Sequence, residues 1–183
     1  EFITGILFVI FQHANPSLFN PDFHHLRIAC SCLFLTILIP LFILDIKYLW
    51  LPKSITLIGT ITGLLVATLV GCFSTEVEWF SLLKEHILAA VLGFCGLLLI
   101  SKLGKFIFRK EALGGGDAKL AGALGAWLGL AGIGVTVPMA FILAGVYVVI
   151  GLAIRKLKRD SIVAFGPFLI MCGLAVWYTG NSL

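Results

Sequence analysis

Charged side chains are scarce in this sequence. Asp, Glu, Lys and Arg make up 12% of its 183 residues, and none occurs in the 35 residues from Leu120 to Ile154. With 60% of the chain hydrophobic, a water-soluble domain is excluded. The apolar runs are also far too long for the roughly 10-residue strands of a membrane barrel. What remains is an all-α, polytopic helical membrane protein, with residues 1–183 forming a single membrane domain. Metal-ligand patterns are missing too. Cys30 and Cys32 are two apart and face different directions on a helix, while Cys72, Cys95 and Cys172 are isolated. The five cysteines therefore read as buried apolar thiols, neither zinc ligands nor disulfide partners. His24-His25 has no further ligand at useful spacing and reads as part of a solvated loop, so no metal is expected. There is no internal repeat, no low-complexity tract, and no signal peptide with a basic n-region. The net charge of +4 does not point to nucleic acid, because the basic residues cluster in short loops between apolar runs, as topology signals do.

The apolar runs themselves set the architecture. The chain opens on Glu1-Phe2, without a methionine and partway into an apolar run, which reads as a fragment, a processed form or a junction before native sequence. Ile3 to Phe11 is then an incomplete first segment. Leu26 to Leu44 is the second, with Pro40 near its end, followed by a charged and aromatic loop from Asp45 to Lys53. The third segment runs from Pro52 and Ser54 to about Val70, and the fourth from His86 to about Phe108, after a loop from Gly71 to Glu85. The uncharged run after Leu120 is too long for one comfortable pass. Gly132-Ile133-Gly134 and Pro138 place a turn near its middle, giving two passes. Arg155-Lys156-Leu157-Lys158-Arg159 stops the second, and Ser161 to Leu183 supplies the last of about seven segments. With this count, eleven of the thirteen Lys and Arg fall on one side, all but Arg27 and Lys84. The positive-inside rule makes that side cytoplasmic.

Asp45 and Asp117 then share the cytoplasmic face, although nothing in the assignment required it. An ionisable group at the mouth of a membrane segment is expensive and is a functional candidate by default. Gly114, Gly115 and Gly116 precede Asp117 and admit close approach by another backbone. Asp117, Ala121, Gly125, Gly129 and Gly132 form a small-residue face on which a second helix packs closely. Two adjacent carboxylates share a proton and titrate as a coupled pair. The ionised member takes a proton from water while the protonated member polarises a carbonyl oxygen, chemistry that needs no metal or cofactor. Taken singly, Asp117 reads equally as a helix cap and Asp45 as a loop residue paired with Lys47. Lys119 reads either as tuning the pair or as an interfacial anchor. Glu111 and Asp160 pair with neighbouring basic residues, and Glu76, Glu78 and Glu85 lie on the opposite side.

At these residues the sequence resembles a known family. Gly114-Gly115-Gly116-Asp117-Ala118-Lys119-Leu120 matches the GxGDxKL signature of type IV prepilin peptidases, the bacterial branch of the GxGD membrane aspartic proteases. The likeness continues through Ala123-Leu124-Gly125-Ala126-Trp127-Leu128-Gly129. Asp45 with Leu51-Pro52 and Ile55-Thr56-Leu57 resembles the family's first catalytic region, and Ala164-Phe165-Gly166-Pro167-Phe168-Leu169 its late FGPF element. The resemblance implies a bacterial cytoplasmic-membrane aspartic endopeptidase with Asp45 and Asp117 as its catalytic dyad. Gly114, Gly115, Gly116 and Lys119 would support the substrate, the basic leader of a type IV prepilin or type II secretion pseudopilin. The leader would be cut after a glycine at the cytoplasmic face. Many family members also methylate the new N-terminal amine. The family's cytosolic N-terminal region, often with paired CxxC motifs, is absent from this chain, so S-adenosylmethionine is called for only if methylation is retained. Lys53 stands where the family commonly has Asp or Asn. The alternatives are a GxGD protease with another substrate, a proton- or ion-coupled transporter using the same two aspartates, and a non-catalytic scaffold.

Overall fold

The computed structural model describes residues 24–73, 79–108, 114–156 and 163–179. Among these the chain is helical: α1 His24–Tyr48, α2 Lys53–Phe73, α3 Trp79–Phe108, α4 Gly115–Ala153 and α5 Gly166–Thr179. The first four are long and apolar enough to cross a membrane. Their outward faces are as apolar as the interior, with Leu57 62% and Val149 66% exposed, as expected where lipid is the solvent.

α4 is one helix only by its continuous numbering. Gly129 adopts φ 70 and ψ −174, a conformation essentially restricted to glycine, and the chain reverses there. The reversal follows from packing. A Cβ placed on Gly93 of α3 would lie 2.7 Å from Ala121 O and 3.2 Å from Ile133 Cγ1. Those two residues straddle the break, and a straight helix would hold them about 18 Å apart. The arm 115–128 and the arm 130–153 thus form an antiparallel hairpin. The turn comes at Gly129, three residues before the glycines that the sequence marks, and Pro138 sits inside the second arm.

The 115–128 arm is the central post. Nearly all of its side chains are buried, and its small residues bring α3 to backbone contact. A Cβ on Gly125 would overlap the Ala89 carbonyl, and one on Gly122 would touch Phe94 Cβ at 3.2 Å. α2 lies along another side, where Gly63 faces Trp127 and the Ala126 backbone and the Trp127 Nε1–H donates to Gly59 O at 2.8 Å. Trp127 also packs on Phe34 of α1 (ring centroids 4.8 Å apart) and Trp177 of α5 (5.9 Å), and Trp177 donates to Ser31 Oγ at 3.2 Å. At the break, the carbonyls ending the first arm lose their helical amides. The His86 Nδ1–H takes one of them, donating to Ala126 O at 2.9 Å.

Several boundaries differ from the sequence expectation. α1 runs on through Asp45 to Tyr48, because Lys47 in its last turn suits the negative helix end. The Leu49 N–H closes on Asp45 O at 3.0 Å, with Leu49 left-handed at φ 51. His24 opens this helix and is not in a loop. α3 starts at Trp79, seven residues before His86, and Lys84 lies over the Phe80 ring at 4.0 Å. Such a cation–π contact one turn apart lets a charged segment stay helical. α5 starts at Gly166 with Pro167 in its first turn, where the missing N–H costs nothing. The Ile3–Phe11 segment, Glu76, Glu78, Glu111 and Asp160 lie outside the described residues.

Candidate active site

Asp45 is placed by an apolar stripe. On α1 the buried residues Phe34, Leu38, Leu41 and Asp45 follow at steps of four, three and four, the spacing of one helix face. The carboxylate therefore continues a core stripe inward and is only 4% exposed. Its Oδ2 is buried and closes no hydrogen bond. That is a costly state, so this oxygen is an acceptor available to a bound molecule.

Asp117 is the third residue of α4, and its two oxygens have different surroundings. Oδ2 accepts the Gly114 N–H at 3.2 Å, while the Asp117 N–H donates to Gly114 O at 3.2 Å. This is half of a capping box, since glycine has no side chain to return the bond. Oδ1 faces the interior, and the residue is 8% exposed. The capping role and a role at the site are thus carried by different oxygens of one carboxylate. Of the three glycines before it, only Gly116 is sterically required. A Cβ there would meet Leu51 Cβ at 3.0 Å, whereas nothing lies within 4 Å of one on Gly115. Gly114 has φ −72, and Gly129 is the only glycine with positive φ among the described residues. The triple glycine serves close packing and an unobstructed approach, and does not use left-handed backbone.

The two carboxylates meet at the start of α5. A Cβ on Gly166 would overlap Asp45 Oδ2, lie 3.0 Å from Asp45 Cγ, and lie 3.5 Å from Asp117 Oδ1. Both side chains therefore flank a single backbone position at one end of the bundle. The Gly166 N–H faces the Asp45 carboxylate, and the positive end of the α5 dipole adds to it. Two acidic groups so placed, with two helix N-termini beside them, can together hold one proton and one negative charge.

The sequence profile of the type IV leader peptidase family matches residues 32–150, a stretch that contains both aspartates. The chain belongs to the type IV leader peptidase family. It is similar to the prepilin leader peptidase/N-methyltransferase of Pectobacterium carotovorum, at 36% identity over 144 residues, covering 79% of this chain and 49% of that protein. The proteins of the same name from Xanthomonas campestris (32% over 140 residues, 76% and 46%) and Legionella pneumophila (30% over 158 residues, 86% and 52%) are also similar. The chain spans about half the length of these curated relatives. No solved structure matches it.

For this leader peptidase family member, the geometry brings together Asp45, Asp117 and Gly114–Gly116, and sends Lys119 elsewhere. Two residues beyond Asp117 is about 200° around a helix, and Lys119 lines a cleft with Lys53 between α2 and α3. Sequence reasoning about chemistry missed Gly166. Its signal was the Gly-Pro pair at a helix start within the FGPF element, which carries no functional side chain. His86 and Trp127 were also missed as the donors that brace the post carrying Asp117.

Proposed function

We propose that this chain is the membrane catalytic portion of a prepilin peptidase, an aspartic endopeptidase that removes the basic leader of a type IV prepilin or pseudopilin after a glycine. The observation that supports this best is the convergence of Asp45 Oδ2 and Asp117 Oδ1 on Gly166. In the proposed reaction one carboxylate is ionised and its partner protonated. The ionised carboxylate takes a proton from water as the water oxygen attacks the scissile carbonyl carbon, and the partner gives its proton to the carbonyl oxygen. Collapse of the tetrahedral intermediate breaks the C–N bond. The amine leaves with the proton taken from water, a hydroxyl of the gem-diol intermediate returns a proton to the partner carboxylate as the new carboxyl group forms, and the dyad regains its starting charge. The exposed glycines Gly114 and Gly115 leave room for an extended substrate backbone beside Asp117.

The topology in this proposal has about seven passes, counting the hairpin of α4 as two and Ile3–Phe11 as part of the first. The basic loops and the dyad face the cytoplasm, in the inner membrane of a bacterium. A basic leader arriving at that face meets an acidic site. S-adenosylmethionine has a role only if methylation is retained alongside hydrolysis.

The test is cleavage of a prepilin-like substrate by the purified chain in detergent or lipid. Products are read by mass spectrometry in water enriched in oxygen-18. One heavy oxygen in the carboxylate of a leader ending in glycine is the expected result. Uncut substrate, with a protein that still melts cooperatively, would overturn the proposal. Proton uptake by reconstituted vesicles in place of cleavage would favour the transporter.

A further inference from the structure

Between α2, α3 and the first arm of α4 lies a cleft of about 460 Å³, on the side of α4 away from the dyad. Its composition is divided. Lys53 and Lys119 are at the end of the bundle where α2 and α4 begin, and Leu57, Val91 and Phe94 line the remainder beside Thr56 and Thr60, whose hydroxyls donate to carbonyls of their own helix. Leu57 is 62% and Val91 50% exposed on the outer surface of the helices, so the cleft opens toward the bilayer. Gly122 and Ala90 keep its floor low.

Among the described residues, the charge at its mouth has no counterpart. Neither lysine is joined to a carboxylate among the described residues. Lys53 is also the first residue of α2, whose first turn contains no acidic group. A cation there opposes the positive end of the helix dipole and is unfavourable by itself. The sign becomes favourable when an anion sits between the two lysines and the helix N-terminus. An anion joined to a long apolar chain, at a membrane surface, is an acidic phospholipid. We propose that this cleft binds one anionic phospholipid, its phosphate held by Lys53 and Lys119 and an acyl chain laid along Leu57, Val91 and Phe94. A basic prepilin leader is repelled by the same two lysines, which separates this site from the substrate's path.

The experiment is native mass spectrometry of the purified chain in detergent, titrated with phosphatidylglycerol and with phosphatidylcholine carrying the same acyl chains. Two lysines are expected to favour phosphatidylglycerol by about 30-fold. Lys53→Gln with Lys119→Gln should abolish the preference, and Val91→Trp, which keeps both charges but fills the cleft, should weaken phosphatidylglycerol binding. Equal binding of the two lipids by the unmodified chain would overturn the proposal, and that comparison needs no variant to fold. So would a preference that survives loss of both lysines, or Val91→Trp binding that is unchanged. Displacement of the lipid by inorganic phosphate at equal concentration would show an anion site without an acyl groove, and would also overturn it.

Discussion

Replacing Gly166 by alanine adds one methyl group at the point where the two carboxylates meet. The new Cβ overlaps Asp45 Oδ2 and lies 3.0 Å from Asp45 Cγ. Ordinary non-bonded contact needs about 3.5 Å, so the Asp45 carboxylate must retreat by about 1 Å. Asp117 Oδ1, at 3.5 Å, is barely touched, so the substitution separates the pair and does not move it as a unit. A misplacement of about 1 Å in reacting groups costs on the order of 100-fold in rate, or about 2.7 kcal/mol of barrier. The overpacking itself costs about 1 to 3 kcal/mol of stability. The assay is leader release under saturating substrate, with a thermal melt of the same sample. Gly166→Ala should lower kcat about 100-fold while the protein still melts cooperatively. Gly96→Ala is the control. Nothing lies within 4 Å of a Cβ there, and alanine should raise stability by up to about 1 kcal/mol. Unchanged kcat in Gly166→Ala would refute the placement of the carboxylates against this backbone atom.

Other substitutions test the scaffold by thermal melting in detergent. Gly125→Ala pushes a methyl into the backbone of Ala89 and Ala90, neither of which can rotate away, and should cost about 1 to 3 kcal/mol. Gly129→Ala forces a side chain into φ 70 with ψ −174, and should cost about 1 to 3 kcal/mol by destabilising the hairpin. Trp127→Phe keeps an aromatic ring against Phe34 and Trp177 but removes the hydrogen bond to Gly59 O. Its expected cost is about 0.6 to 1 kcal/mol. A wild-type melting temperature in any of the three would count against the contact concerned.

The sequence made the helices and the pair of aspartates legible for a physical reason. Charge is so scarce that each ionisable group beside an apolar run stands out, and small residues at helical spacing in α4 marked the face that α3 packs against. Boundaries were less legible. Lys84, Glu85 and Lys47 read as loop residues because charge commonly ends a span, yet helices continue past the apolar stretch when their ends are satisfied. A local reading places the turn in α4 at Gly132-Ile133-Gly134, since two glycines and a proline outweigh one glycine. Tertiary packing against Glu85 and His86 selects Gly129. Gly166 could not be recognised from its own chemistry, because its contribution is the lack of a side chain at a point defined by three separate helices.

The central claim is that Asp45 and Asp117 act as one unit. Its most direct test is a double-mutant cycle on leader release, comparing the unmodified chain with Asp45→Asn, Asp117→Asn and the double variant. A dyad predicts that either single replacement lowers kcat by about 1,000-fold or more, and that the double variant is scarcely worse than either single one. Independent losses that multiply in the double variant, or substantial activity in either single one, would contradict it.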